Sequence, residues 1–378
     1  MQRFHQRAIR SLMRRSRKYL SLLPRDGRSI GPTYVMVQLV YQCNLKCWFC
    51  GQWGSNGLYK LEPTAHLRQR LSLDTLTRLL NQLPPWCDVY LWGGETLLHP
   101  DAVTFARMVR ETGRQCWLVT NGTLLTKKAR EIVESGITSV DLSIDAAGDE
   151  HDRLRGVTGT YRAAIEGIRS IRALRTGMRV ASPHINVFAI LLPGTEQNLK
   201  GLAREVGTAG ADSFTLAPLS FVSEDQGRAH EQAMKRLFSI AARTWRGYCW
   251  PGRVSEPGSA EAIVREVQET EEFAGFITVL NEGFWRPADW SAYYTNRGHV
   301  APPGRRCVFP SNSVNVFPDG SVSRCPEYAD YVVGDVHNES FSSIWNGEKL
   351  CEFRRALRRE GRFPICSTCC HLYQFTSK

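Results

Sequence analysis

Short apolar runs alternate with amphipathic stretches along residues 31–220. The apolar runs are rich in β-branched and aromatic residues and predict six strands, at 34–40, 89–93, 116–121, 139–145, 184–191 and 213–219. Apolar residues spaced three or four apart predict helices between these strands, near 72–82, 101–112, 126–135, 160–174 and 196–208. This alternation is typical of parallel strands joined by crossover helices. It predicts an α/β fold with six of the eight units of a complete barrel, a partial (β/α)6 TIM-like barrel.

The pattern changes after residue 220. Residues 221–300 are rich in Trp, Gly and Pro, with helical spacing near 229–245 and 259–274, and we interpret them as a connecting region. Residues 301–378 contain the turn Pro318-Asp319-Gly320, a helical pattern near 341–358 and a group of cysteines. They predict a small C-terminal domain held together by metal.

Composition and charge exclude several classes of protein. A chain of 378 residues with 42% hydrophobic residues can bury large cores, and its length predicts two or three folded units. No stretch approaches the roughly 20 apolar residues that span a bilayer, and the N-terminus lacks a secretory signal, so we expect a cytoplasmic protein. Of the net charge of +11, residues 1–30 carry +8. The rest of the chain is nearly neutral, which disfavours a nucleic-acid partner.

The basic segment at residues 1–30 leaves three interpretations open. Phe4, Ile9, Leu12 and Leu23 follow a loosely helical spacing among arginines, as in helices that lie on anionic membrane surfaces. On this interpretation residues 1–28 contact a membrane or a lipid-linked substrate, and the protein is peripheral at the membrane. The alternatives are a partly frayed helix that packs on the folded body and an organelle transit peptide.

Three closely spaced cysteines follow the first predicted strand. Cys43, Cys47 and Cys50 lie at the carboxyl end of that strand, where barrel enzymes place their chemistry. Three thiolates can hold three irons of a [4Fe-4S] cluster and leave the fourth iron open to a ligand. Structural zinc is the main alternative, but it requires four ligands and the loop contains no fourth Cys or His. Three buried cysteines without a metal are the remaining alternative.

The run Cys43-Asn-Leu-Lys-Cys47-Trp-Phe49-Cys50 resembles the signature of the radical S-adenosylmethionine (SAM) superfamily, and the resemblance spans nearly the whole chain. It implies that the three cysteines hold a [4Fe-4S] cluster, that SAM chelates the open iron, and that Phe49 lies beside these cofactors. One electron, from a donor such as flavodoxin or ferredoxin, then cleaves SAM. The 5'-deoxyadenosyl radical removes a hydrogen atom from the substrate, while the protein orients the substrate and excludes quenchers.

The turn Gly93-Gly94-Glu95, after the second strand, resembles the family motif that contacts the SAM amino group. The glycines let the backbone approach the ligand, and Glu95 can accept hydrogen bonds from an ammonium group. Thr96 is a departure, because the family often has Pro at this position.

The ends of the next two strands supply further positions that the resemblance assigns to SAM. Thr120 and Asn121 end the third strand, and Ser143 and Asp145 end the fourth, where both can face the barrel interior. By resemblance they contact the SAM carboxylate or ribose; the alternative is that they cap the following helices. Arg155 is expected either to pair with the SAM carboxylate or to be a solvated arginine at the start of a helix.

A second set of cysteines, Cys307, Cys325, Cys366 and Cys369, provides four thiolates. By spacing alone, zinc also fits this set. Next to a radical SAM barrel, the spacing resembles the twitch domain, a shortened SPASM domain that carries one auxiliary [4Fe-4S] cluster. Full SPASM domains have a further run of cysteines, which is absent here, so we predict two clusters in total. Cys370 is adjacent to Cys369, and we favour Cys369 as the ligand.

The net reaction is not determined by these motifs. We expect oxidation, by dehydrogenation, of a small-molecule, sugar or lipid-linked substrate. One alternative is a radical epimerase in which Cys249 returns a hydrogen atom. Another is a maturase that forms carbon–carbon or carbon–sulfur bonds in a peptide, disfavoured because peptide modifiers often carry a longer N-terminal leader-recognition domain. A non-enzyme with structural or electron-transfer metal sites is disfavoured because a three-cysteine site is incomplete.

Overall fold

The computed structural model describes residues 24–192, 194–254 and 307–369, strand 277–279, and several single residues elsewhere. Most of the predicted basic segment, residues 1–23, lies outside the described residues. So do most of the helix predicted near 259–274 and Cys370, the alternative auxiliary ligand.

Seven parallel strands form the barrel, and each strand after the first pairs with the strand that precedes it in the chain. They are β1 (Tyr34–Gln38), β2 (Asp88–Trp92), β3 (Cys116–Thr120), β4 (Ser139–Ser143), β5 (His184–Leu191), β6 (Ser213–Pro218) and β7 (Ile277–Val279). All six predicted strands are present. β7 lies in the region predicted to be a connector, because its three residues are too few to produce a detectable alternation.

Helices connect the barrel strands. They are α1 (Thr64–Leu67), α2 (Leu73–Gln82), α3 (Ala102–Glu111), α4 (Leu125–Ser135), α5 (Gly148–Arg155), α6 (Thr160–Met178) and α7 (Leu199–Ala209). The apolar pattern does not predict α5, because Leu154 is the single aliphatic residue among its eight. After β6, α8 (Glu224–Phe238) begins at a capping box formed by Ser223 and Gln226, which is earlier than the helical pattern near 229–245 suggests.

Alternation along the strands separates the core from the barrel interior. In β4, Val140 and Leu142 are fully buried, whereas Asp141 and Ser143 face the interior. Burial of each such aliphatic side chain stabilises the fold by roughly 1.5–3 kcal/mol. The interior positions are therefore free to carry polar residues that serve a ligand.

The C-terminal region continues the same sheet. β8 (Asn315–Val316) pairs in parallel with β1, and β9 (Ser321–Ser323) and β10 (Val332–Asp335) follow as antiparallel strands, which gives a ten-stranded sheet. The helices of this region are α9 (Phe309–Asn312), α10 (Phe341–Trp345) and α11 (Glu348–Glu360). The indole Nε1 of Trp92 donates to the Asn315 side chain at 2.7 Å, which joins β2 to β8. The sequence pattern predicts a separate small domain and does not predict this shared sheet.

Contacts with the C-terminal helices hold the start of the described chain. Arg354 on α11 donates to the Gly27 carbonyl at 3.1 Å, and the Asn346 side chain donates to the Ser29 carbonyl at 3.1 Å. Gly27 has a φ of 88°, and a Cβ there would lie 2.2 Å from the Cys351 carbonyl oxygen, so a side chain does not fit. No helix among the described residues has the length and apolar composition needed to cross a bilayer.

Candidate active site

A cavity of about 760 Å³ lies inside the barrel and reaches the loops at the carboxyl ends of the strands. The wall formed by β1–β3 is mainly aromatic and apolar, with Tyr34, Met36, Tyr90, Trp92, Trp117 and Val119. The wall formed by β4–β6 carries polar side chains, namely Ser139, Asp141, Ser143, His184, Asn186, Ser213 and Thr215. Such a cavity suits an organic molecule with an apolar face and a polar edge.

Cys43, Cys47 and Cys50, referred to below as the loop cysteines, all line this cavity. The Leu45 amide donates to the Cys43 sulfur and the Trp53 amide to the Cys50 sulfur, each at 3.4 Å. Burial raises the pKa of Cys43 to about 12 and that of Cys47 to about 11. Burial therefore favours the protonated form of these thiols, and iron binding to them as thiolates releases protons.

The Gly-Gly turn after β2 packs directly against the start of the cysteine loop. The Gly94 amide donates to the Val40 carbonyl at 3.0 Å, and the Glu95 amide donates to the Gln42 carbonyl at 2.8 Å. A Cβ on Gly94 would lie 2.1 Å from the Gln42 carbonyl oxygen, and one on Gly93 would lie 3.0 Å from that of Val40. Glycine at 94 therefore allows the two loops to meet at the cavity.

Glu95 is 1% exposed, and its carboxylate is fixed by three donors. The Leu97 amide and the Thr120 hydroxyl donate to Oε1 at 3.0 and 2.7 Å, and the Asn121 amide donates to Oε2 at 2.7 Å. Burial raises the pKa of Glu95, and these hydrogen bonds oppose the rise. A nearby cation would stabilise the ionised carboxylate further.

Thr120 and Asn121 organise the turn after β3 as well as lining the cavity. The Thr120 hydroxyl accepts from the Gly122 amide at 3.1 Å, and the Asn121 side-chain oxygen accepts from the Thr123 amide at 3.0 Å. The Asn121 amide group donates to the Asn44 side chain at 2.9 Å, which ties this turn to the cysteine loop. The turn after β3 therefore lies opposite the cysteine loop and also holds it in place.

Arg155 forms a buried ion pair with Asp145. Its Nε and Nη2 lie 2.8 and 2.6 Å from the Asp145 Oδ2, and its Nη1 lies 3.9 Å from the Cys47 sulfur. Its guanidinium also lies 5.6 Å from the centre of the Phe49 ring. Burial disfavours its charge, but Asp145 and Cys47 more than offset this and hold the pKa of Arg155 above its usual value. Because Arg155 is the last residue of α5 and buried, the alternative of a solvated arginine at a helix start is wrong.

Asp145 and Ser143 are placed differently. Ser143 ends β4 and lines the cavity, whereas Asp145 lies two residues beyond the strand, is 1% exposed and is not among the lining residues. The second oxygen of Asp145 accepts from the Ile190 amide at 3.0 Å. Direct contact between Asp145 and SAM stays a prediction; in the structure this carboxylate orients Arg155.

The four cysteines of the C-terminal region, Cys307, Cys325, Cys366 and Cys369, line a separate cavity of about 30 Å³ and are referred to below as the auxiliary cysteines. Burial raises the pKa of Cys366 to about 11 and raises that of Cys325. Arg324 Nε and Nη2 and the Tyr328 hydroxyl are buried in the lining of this cavity without hydrogen-bond partners. Soft thiols beside such unpaired donors fit an anionic iron–sulfur cluster.

In the described ranges, neither cysteine set has the close arrangement that a single metal ion needs. Among the described residues, no three Cys, His, Asp or Glu side chains converge closely enough to bind one ion. A mononuclear zinc site, the alternative for both sets, requires such convergence.

Two residues that the sequence analysis did not select connect the regions around the cysteine sets. Tyr248 and Glu327 both line the barrel cavity, and the Tyr248 hydroxyl donates to the Glu327 carboxylate. The Tyr248 ring packs so tightly on Gly51 that a Cβ there would lie 2.3 Å from it. Cys249, the candidate hydrogen donor, is buried and is not among the lining residues. The sequence signal that could have identified Glu327 is its closeness to Cys325, which lies two residues earlier.

Comparisons with known proteins agree with this geometry. A family model described as "Radical SAM superfamily" matches residues 37–205, and one described as "Iron-sulfur cluster-binding domain" (SPASM) matches residues 307–370. The chain is 29% identical to pre-heme d1 synthase of Dinoroseobacter shibae, over 92% of this chain and 81% of that one. It is 23% identical to GTP 3',8-cyclase of Rhizobium etli, over 82% and 89% of the two chains.

A solved structure has a similar fold. The crystal structure of Streptococcus suis SuiB bound to S-adenosylmethionine aligns with a TM-score of 0.62 at 12% identity, covering 91% of this chain and 73% of that one. The two domain matches support an enzyme rather than the structural-metal alternative. The chain contains a radical SAM domain and a C-terminal SPASM/twitch iron–sulfur domain, and it is a radical SAM enzyme whose cofactors are SAM, a [4Fe-4S] cluster and an auxiliary [4Fe-4S] cluster.

Proposed function

We propose that the enzyme dehydrogenates a carbon that bears oxygen or nitrogen in a small-molecule, sugar or lipid-linked substrate. The loop cysteines hold the cluster that binds SAM, and the auxiliary cysteines hold the second cluster. Glu95 accepts hydrogen bonds from the SAM amino group, and Arg155, oriented by Asp145, faces the SAM carboxylate. Phe49, Thr120, Asn121 and Ser143 complete the SAM site.

The observation that carries this proposal is the position of Glu327. It lies two residues after Cys325 and lines the same cavity as the loop cysteines. Cys325, one of the auxiliary cysteines, is therefore adjacent in the chain to a wall of the substrate cavity. An electron acceptor at this position is useful for a dehydrogenation and has no evident use in a redox-neutral epimerisation.

The reaction balances with these parts. When bound, SAM would supply the radical that takes one hydrogen atom from the substrate, and the cluster held by the auxiliary cysteines would supply an acceptor for the electron that remains when a proton leaves to water. A protein electron carrier would then reoxidise that acceptor. Tyr248 and Glu327 form part of the cavity wall, where the Tyr248 hydroxyl donates to the Glu327 carboxylate. One SAM is consumed for each substrate oxidised.

The charge of the cavity supports a neutral or weakly charged substrate. Among the described residues that line it, Arg155 is the one lysine or arginine, and Asp145 already pairs with it. A substrate with several phosphates, such as the GTP named for the Rhizobium relative, lacks cationic partners among these residues. The aromatic wall on β1–β3 instead favours an apolar face.

A peptide substrate is the second candidate. One solved SuiB structure is described as bound to the precursor peptide SuiA, at 12% identity to this chain and a TM-score of 0.59. That similarity concerns the fold alone and does not indicate the substrate. We prefer a smaller substrate because of the charge and polarity of the cavity.

Dehydrogenation can be tested in deuterated water with reconstituted enzyme, SAM, dithionite and a pool of amino sugars, polyols and glycosides. We expect a product lighter than its substrate by two hydrogen atoms. The Cys366→Ala/Cys369→Ala variant should still form 5'-deoxyadenosine but no oxidised product, because the acceptor is lost. A redox-neutral product that carries one deuterium on carbon contradicts the proposal and supports epimerisation.

Glu95→Ala is expected to weaken SAM binding at least about tenfold, equivalent to about 1.4 kcal/mol, because the ammonium loses its carboxylate partner. Iron content should stay unchanged, since Glu95 is not a cluster ligand. Equilibrium dialysis with labelled SAM measures the affinity. Glu196→Ala is the matched control, because Glu196 is also buried but does not line the cavity. Equal SAM affinity in Glu95→Ala and the wild type contradicts this role.

A further inference from the structure

We propose that Arg324 is the counter-charge of the auxiliary cluster and raises its reduction potential. Arg324 directly follows β9 and precedes Cys325, and its side chain lines the cavity shared by the auxiliary cysteines. No motif in the sequence selects it. The inference takes these cysteines as cluster ligands and holds whether or not the net reaction is a dehydrogenation.

Within the described part of the chain, Arg324 has no carboxylate as a counter-charge. The residue is 4% exposed, and its Nε and Nη2 have no hydrogen-bond partner. It forms no ion pair with any carboxylate of the described residues. Its guanidinium lies 4.6 Å from the centre of the Phe353 ring, which provides a cation–π contact but no negative charge. A buried charge without a partner costs several kcal/mol in proteins, so a missing anion is expected beside it.

The auxiliary cysteines supply that anion once they hold a cluster. The Arg324 side chain lines one cavity of about 30 Å³ together with all four of these cysteines, and Arg324 directly precedes Cys325 in the chain. Its positive charge therefore acts on the sulfurs that face this cavity. A cluster held by four thiolates is negatively charged, and one-electron reduction makes it more negative. Arg324 consequently stabilises the reduced form more than the oxidised form, which raises the potential.

Arg155 beside the loop cysteines shows the contrasting arrangement. Its guanidinium lies 2.6 Å from the Asp145 carboxylate, which cancels most of its charge. None of the described carboxylates pairs with Arg324 in this way, so its charge is left to act on the auxiliary cysteines. The net charge near the auxiliary cysteines is thus more positive than that near the loop cysteines. We expect this difference in charge to make the auxiliary cluster easier to reduce than the SAM-binding cluster.

The test is a potentiometric titration of the anaerobically reconstituted full-length protein, followed by electron paramagnetic resonance. Arg324→Gln should lower the reduction potential of the auxiliary cluster. At a fixed applied potential the ratio of oxidised to reduced cluster should rise at least tenfold, which corresponds to a shift of about 59 mV for one electron. Arg324→Lys, which keeps the charge, should shift it less. Arg354→Lys is the control, because Arg354 is also buried against an aromatic ring but donates to backbone carbonyls.

Iron content separates the outcomes. Arg324→Gln with full iron and an unchanged auxiliary potential overturns the proposal. Loss of the auxiliary iron in Arg324→Gln but not in Arg324→Lys supports it, because the charge is then required to hold the cluster. Loss in both variants counts against it, because a structural role for the side chain explains that result. None of these readouts depends on turnover, so they are independent of the proposed reaction.

Discussion

Replacement of Cys43, Cys47 and Cys50 together by Ala is expected to lower the iron content from about eight to about four per chain, since one of two cubane clusters is lost. Formation of 5'-deoxyadenosine should fall to the level without enzyme, because SAM has no open iron to chelate. The auxiliary cysteines lie in a separate cavity, so their cluster should remain. Iron analysis and chromatography of the nucleoside products measure both effects.

The matched control replaces Cys87, Cys116 and Cys351 by Ala. These three thiols are also buried, but they lie outside both cavities. This variant loses the same number of thiols and should keep about eight irons and SAM cleavage. Wild-type protein that holds zinc and no iron after anaerobic purification would contradict the ligand assignment, as would SAM cleavage by the loop-cysteine variant.

Replacement of Arg155 by Met is expected to lower the free energy of unfolding by about 3–5 kcal/mol, because Asp145 is left as a buried charge without its partner. The side chains of Arg155 and Asp145 are only 10% and 0% exposed. The double variant Arg155→Met/Asp145→Asn should recover part of this loss, since the unpaired charge is gone. Urea unfolding of the apoprotein, with the single and double variants compared, measures the coupling.

Arg153 on the same helix provides the control. It pairs with Glu150 at 2.5 Å, but the two side chains are 69% and 34% exposed. Arg153→Met should therefore change the stability by less than about 1 kcal/mol. Equal losses in Arg153→Met and Arg155→Met would show that the buried pair contributes no more than a surface pair.

The sequence predicts those parts of the fold that have a strong local signal. The six longer strands each contain an alternation or apolar run of five or more residues, and all six are confirmed. β7 and β8 have three and two residues, and local patterns carry no information at that length. The pairing of β8 with β1 joins distant parts of the chain, so no local rule predicts it.

In the candidate site, too, contiguous motifs could be predicted from the sequence, whereas contacts between distant residues could not. The cysteine spacing and the Gly93-Gly94-Glu95 turn are contiguous motifs, and the structure brings both to one cavity. The ion pair between Asp145 and Arg155 depends on how the turn after β4 directs α5, which has little apolar pattern. Glu327 joins Tyr248 only because the connector and the C-terminal region meet in three dimensions.

The shared sheet has a consequence for the order in which the chain folds during synthesis. β1 is synthesised early and can pair with β2 on one side. On its other side, Met36 and Val37 can pair only after Asn315 and Val316 of β8 have been synthesised. Until then the nascent protein exposes an open strand edge, which invites pairing with other chains. The cysteine loop starts a few residues beyond this edge strand. We therefore expect the sheet that supports the cysteine loop to be completed only after β8 has been synthesised.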